Sequence, residues 1–247
     1  MENLYTKNNL KFTLIWIIIY IVGASVCDAL SAYIGIEKCI TVAFMLGISI
    51  FLIIYVLKNN LNSEFGLCKP QQKAKYFLYY IPLAILISVN CWFGLSLNYS
   101  VLETILYVIS MLCVGFIEEL IFRGFLFKTL QKNNLKVAVI VSSVTFGFGH
   151  IINLFTGANL VNTICQIFYA IAVGFLFVII FYKSKSLLPC IITHSLVNAL
   201  SAFDNTSKLS PTMHIIVSVI IMAIAIVYSL VIIKTTKNTT VEQQNKA

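Results

Sequence analysis

The sequence predicts an all-α fold, a polytopic transmembrane helical bundle of about eight membrane-spanning helices, and three observations predict it. The chain is 60% hydrophobic and 11% charged, whereas soluble domains carry about 25% charged residues. Its apolar residues fall into runs near the roughly 20 residues that cross a bilayer. Its lysines gather in alternate connections between those runs. Each run is expected to be helical, because backbone polar groups in lipid must be paired within the segment.

In chain order the runs cover residues 12–30, 39–57, 76–96, 101–127, 137–154, 160–182, 187–203 and 213–233. The first follows Lys7 and Lys11 in the manner of a signal sequence. It is long for a cleaved segment and lacks a small-x-small site, so it is expected to stay as an anchor. Ala24-Ser25-Val26 does not supply the small residue expected before a lipidated Cys27. Residues 58–75, with four lysines and Pro70, form the longest loop. Pro82 lies inside the third run and is expected to kink it. Pro189 and Pro211 stand near the starts of the last two runs, where first-turn amides have no helical partner to lose. The expected organisation is one integral membrane domain over 1–247, ending in a polar tail over 235–247 that is expected to be disordered. No internal repeat is apparent, which argues against transporters built from inverted repeats.

The net charge of +8 is a topology signal and excludes no membrane reading, while it gives no support to nucleic acid as a partner. Lys7, Lys11, Lys58, Lys69, Lys73, Lys75, Lys128, Lys132, Lys136, Lys183, Lys185, Lys234, Lys237 and Lys246 fall on one side, and only Lys38 and Lys208 on the other. The positive-inside rule then places both termini in the cytoplasm. Membrane lipids, anionic ones included, are expected partners. A bacterial cell membrane is the expected location. Seven scattered cysteines without a CxxC pair give neither a disulfide framework nor a thiolate metal site.

Five ionisable side chains interrupt these apolar runs in three clusters: Glu118, Glu119 and Arg123; His150; and His194, with Asn198 four residues on. A charge at mid-bilayer costs at least about 2.5–3.5 kcal/mol, so intramembrane ionisable groups mark function by default. Glu119 and Arg123 share a helix face, as do Phe146 and His150, and His194 and Asn198. Glu118 points about 100° from Glu119. One acid can be clamped by the arginine while the other faces a neighbouring helix.

Depth offers an independent check. With the lysines at the cytoplasmic ends, Glu118 lies roughly 15–21 Å in, His150 roughly 21 Å, His194 roughly 14 Å and Asn198 roughly 20 Å. The clusters can meet near mid-membrane, provided the fourth helix continues past Arg123 to Lys128. Gly115, Gly124, Gly147 and Gly149 would let neighbouring helices approach closely.

Glu118-Glu119-Leu-Ile-Phe-Arg123 matches an EExxxR pattern, Phe146-Gly-Phe-Gly-His150 an FxxxH pattern, and His194-Ser-Leu-Val-Asn198 an HxxxN pattern. In this order on membrane helices they resemble the CPBP family of intramembrane proteases (CAAX proteases and bacteriocin-processing enzymes, also called the abortive-infection family). The resemblance covers about residues 100–203 as a catalytic core. It implies an endopeptidase acting on a membrane-associated peptide or protein, for CAAX-type, peptide-signal or bacteriocin processing or self-immunity. By resemblance, Glu118 and His150 activate a water, His194 and Asn198 bind the oxyanion, and Glu119 and Arg123 support them.

Glu118, His150 and His194 also make up a catalytic zinc ligand set with a fourth position for water. Glu119 would then be the alternative base. The family is described as metalloproteases, so one divalent metal, zinc first, is the cofactor implied; a metal-free glutamate mechanism uses the same residues. The blander reading takes Glu119 and Arg123 as a self-neutralising structural pair and the histidines as packed core residues. His214, Asp28 and Glu103 lie near run ends and are left out. Ser195 diverges from His194 on a helix and is not a nucleophile paired with it. The competing functions are a proton-coupled transporter, since intramembrane Glu and His also build proton relays, and a non-catalytic membrane partner protein.

Overall fold

The computed structural model describes Tyr5, residues 8–205 and residues 209–236, so most of the polar tail lies outside the described residues. These residues hold no β-strand, only an isolated bridge between Leu95 and Asp204. Helix α1 (Asn9–Ile34) is capped by Asn8, whose side chain accepts from Lys11 N, and stops at Gly35 in the left-handed region. Helix α2 (Cys39–Lys58) returns beside it. Their turn is tied by Lys38–Asp28 at 2.8 Å and by Thr41 Oγ1 donating to Asp28 at 2.6 Å.

The long loop that follows is docked. Phe65 is fully buried, Leu187 N donates to Gly66 O at 2.8 Å, and Ser186 Oγ donates to Cys68 O at 2.5 Å. A side chain on Gly66 would meet the Phe181 ring at 2.3 Å, at a backbone φ of +73°.

The third run corrects one expectation. Residues Ala74–Tyr80 form a 3-10 segment in which Leu78, Tyr79 and Tyr80 have positive φ, and α3 (Ile81–Ile87) begins after it. Pro82 therefore sits in the first turn of α3, just past the kink at Phe77, Leu78 and Tyr79, and not inside a continuous helix. Its missing N–H costs no hydrogen bond there. A further 3-10 turn, Ser88–Cys91, ends the segment.

Helix α4 (Val101–Glu119) opens with a capping box between Ser100 and Glu103. It passes without a break into a π-helical stretch, Leu120–Phe127, and then α5 (Lys128–Gln131). The rod from Val101 to Gln131 thus reaches the lysines, as the depth estimate required. Helix α6 (Leu135–Gly149) ends in a 3-10 segment, His150–Thr156. Helices α7 (Leu160–Ser184), α8 (Leu188–Leu200, with the 3-10 turn Ser201–Phe203) and α9 (Pro211–Thr235) complete the order.

Seven of the resulting helical segments are long and apolar enough to cross a membrane, and the α8 segment, Leu188–Phe203, is the shorter eighth. Large apolar side chains such as Leu14, Ile18 and Val22 on α1 and Val219 and Val227 on α9 are exposed. This is the outward face of an integral membrane protein, for which lipid is the solvent. Inside, α8 packs along α4 and against α3, while α7 packs against α6 and α9.

Candidate active site

Two close approaches bring the sequence clusters together. A Cβ on Gly115 would lie 2.5 Å from Ser195 N and 2.6 Å from Ser195 Cα, so α4 and α8 touch backbone to backbone. Ser195 Oγ bolts the contact by donating to Leu112 O at 2.9 Å. One turn further along, Glu119 meets His194. On the other side, a Cβ on Gly147 would lie 2.8 Å from Ile167 O and 2.9 Å from Ile171 N, which sets α6 against α7. Of the other two glycines named from sequence, Gly149 faces open space and Gly124 faces Leu120 of its own helix.

The two acids divide as the helix geometry required. Glu119 and Arg123 are fully buried, and Arg123 Nη1 donates to Glu119 Oε1 at 2.9 Å. The guanidinium carbon lies 4.1 Å from the Phe146 ring centre and 5.6 Å from that of Phe177. A planar cation between aromatic faces suits arginine and not lysine. Gly174 makes room for it, since a Cβ there would lie 3.2 Å from Arg123 Nη2. The π-helical stretch around Arg123 alters the regular ladder, and Ser142 of α6 donates to Phe122 O at 2.8 Å. Such stretches concentrate at functional sites.

Glu118 turns the other way. Its Oε1 accepts from Tyr20 Oη of α1 at 2.5 Å, and its Oε2 lies 3.5 Å from His194 Nε2. His194 Nδ1 lies 2.9 Å from Glu119 Oε1. The imidazole therefore stands between the two carboxylates, with Nδ1 committed to Glu119 and Nε2 toward Glu118.

His150 sits where α6 gives way to its 3-10 continuation, edge-on to Phe146 with ring centres 5.7 Å apart. Phe146 also meets His194 edge-on at 5.5 Å. One aromatic ring thus spaces both imidazoles and covers Arg123. His150, His194 and Asn198 line a cavity of about 130 Å³, walled by Leu86, Phe177 and Ile221 among others. Asn90, Gln166 and Tyr169 add polar groups to that wall. The sequence reading missed them, although Asn90 and Gln166 are amides in apolar runs and carry the same kind of signal as His150.

Among the described residues, no three His, Cys, Asp or Glu side chains are placed to hold a metal ion. Glu118, His150 and His194 do not form such a group, although Glu118 Oε2 and His194 Nε2 lie 3.5 Å apart and are left open, and a carboxylate on Nδ1, as Glu119 supplies, is the usual outer partner of a metal-binding histidine. What the arrangement offers is two imidazoles and an amide on the wall of a small, mainly apolar cavity, with the Glu118 carboxylate outside that wall beside His194 and a buried Glu119–Arg123 pair as the brace.

Residues 99–200 match the family model described as Type II CAAX prenyl endopeptidase Rce1-like. The match takes in all three motifs and leaves out α1, α2, α3 and α9. No curated protein and no solved structure matches the chain.

Proposed function

From the membership of residues 99–200 in the CPBP family, we propose that this integral membrane protein is an intramembrane endopeptidase. It hydrolyses a peptide bond of a membrane-associated peptide or protein. The observation that carries the reading is the meeting of three sequence-distant motifs: Glu118 and Glu119 against His194, with His150 and Asn198 on the adjoining cavity.

In the mechanism we propose, Glu118 accepts a proton from a water through Oε2, and His150 orients that water from the cavity wall. The water oxygen attacks the scissile carbonyl carbon, and Glu118 then passes the proton it took to the amide nitrogen as the C–N bond breaks. His194, carrying a proton on each ring nitrogen and donating through Nε2–H, and Asn198, through its amide N–H, stabilise the oxygen as it becomes negative, an interaction worth several kcal/mol when the donors are preorganised. Glu119 holds His194 by Nδ1 and Arg123 holds Glu119, so the donor is aimed before substrate binds.

The proposal places the lysine-rich end, where Lys132 stands 3.8 Å from Glu64, in the cytoplasm with both termini. CAAX-type, peptide-signal and bacteriocin processing or self-immunity are the substrate classes to separate. The test compares membrane and secreted peptides from cells expressing wild type or Glu118→Gln at matched levels, beside cleavage of peptides with and without a farnesylated C-terminal CAAX sequence. Glu118-dependent new termini are the expected result and name the class. Full cleavage by Glu118→Gln would overturn the assignment.

A further inference from the structure

Tyr20 lies on α1, outside residues 99–200, and is 98 positions from Glu118. It is buried, at 8% exposure, in the same apolar cluster as Val114, Ile117 and Ile121 of the catalytic rod. A buried phenol needs a hydrogen-bond partner. Here the partner is Glu118 Oε1 at 2.5 Å, at the short end of the about 2.5–2.7 Å typical of a hydroxyl on a carboxylate.

The contact makes the two oxygens of Glu118 unequal. The terminal torsion of a glutamate is broad and roughly two-fold, so an unheld carboxylate samples many orientations. With Oε1 held by Tyr20, Oε2 is the oxygen left 3.5 Å from His194 Nε2. A general base works only when its free lone pair is aimed at the proton it takes. Tyrosine is suited to this task, because its hydroxyl rides on a rigid ring with two side-chain torsions.

We infer that Tyr20 is a positioning residue for the Glu118 carboxylate, so that a helix outside the family-like core completes the site; this rests on the endopeptidase reading above. Tyr20 does not line the cavity. It acts through Glu118 alone.

The experiment uses the full chain in phospholipid vesicles and a library of quenched-fluorescent peptides, half of them bearing a farnesylated C-terminal cysteine motif. Peptides whose cleavage is lost in Glu118→Gln serve as substrates. Tyr20→Phe, which removes one oxygen, is expected to lower kcat about tenfold to a hundredfold with KM within about twofold. Glu118→Asp withdraws the carboxylate from the phenol by one methylene. In that background Tyr20→Phe is expected to change little, because the interaction is already gone.

Four results overturn the inference. Unchanged kcat in Tyr20→Phe, with Glu118→Gln inactive, removes Tyr20 and leaves the endopeptidase reading standing. Fully additive losses in the double variant assign Tyr20 a packing role. Unfolding of Tyr20→Phe does the same. Cleavage of every peptide by Glu118→Gln, or of none by wild type, fells the endopeptidase reading and the inference with it.

Discussion

Nδ1 of His194 lies 2.9 Å from Oε1 of Glu119, and this same oxygen receives Arg123 Nη1, also at 2.9 Å. One buried carboxylate oxygen therefore links a structural cation to the imidazole that faces the cavity. The orientation of His194 depends on a pair it shares with Arg123.

That linkage predicts how the pair responds to mutation. Removing one partner of a buried ion pair leaves the other uncompensated, at a cost of roughly 3–5 kcal/mol. Arg123→Ala is expected to unfold well below wild type in detergent, measured as a thermal midpoint. Arg123→Lys keeps the charge but loses the planar stacking between Phe146 and Phe177, and is expected to remain substantially destabilised. A wild-type midpoint for Arg123→Ala would show that Glu119 is held by other means.

The contact at Gly115 predicts a steric lesion with a matched control. Gly115→Ala would push against the Ser195 backbone, and overpacking of this kind costs about 1–3 kcal/mol. It would also move His194 away from Glu119, so cleavage is expected to fall further than stability alone explains. Gly47→Ala, on α2 with open space at its Cβ, is expected to stay within about 0.5 kcal/mol of wild type or better. Equal behaviour of the two variants in thermal unfolding and peptide cleavage would contradict the close approach.

Asn198 offers a test of the oxyanion role. Its side chain lines the cavity and is only partly buried. Asn198→Ala is expected to reduce kcat by about 10²–10³, as for loss of an oxyanion donor, with an unfolding midpoint close to wild type. A loss confined to KM would assign Asn198 to substrate binding instead.

Chelation probes the metal question. Because no three His, Cys, Asp or Glu side chains among the described residues are placed to hold an ion, Glu118-dependent cleavage is expected to survive dialysis against a strong chelator. Loss of cleavage restored by zinc would mean that Glu118, His150 and His194 rearrange into a ligand set.

Much of the site was legible because helical spacing and depth are both written in one dimension. The divergence of Glu118 from Glu119 follows from adjacent positions on a helix, and similar distances to flanking lysines put Glu118 and His194 at a depth where their helices could meet; that Glu119, already held by Arg123, is the acid bonded to His194 was not legible. The rest depends on tertiary contacts that no period reveals. Pro82 looked interior because the run reads as unbroken, whereas the left-handed Leu78, Tyr79 and Tyr80 end one segment and start another. The π-helical stretch leaves no trace in LIFRGFLF, since it is stabilised by contacts such as Ser142 on Phe122 O. Tyr20 is one of 12 tyrosines and gave no signal, because an aromatic residue in a membrane helix is unremarkable until its partner is seen. Gly174 was silent for the same reason: its role is to be small opposite Arg123.

The shortness of α8 has a consequence for how the protein meets its bilayer. Its 13 residues rise roughly 20 Å, against a hydrocarbon thickness of about 30 Å. Its far end is finished by protein: Asn90 Nδ2 donates to Val197 O at 2.6 Å, Asn98 Nδ2 to Ala202 O at 3.3 Å, and Ser96 N to Phe203 O at 2.8 Å. The helix that carries His194 and Asn198 has no hydrophobic length to match. Thicker or thinner membranes tilt the long helices, while His194 and Asn198 ride on a short segment whose far end is tied to protein.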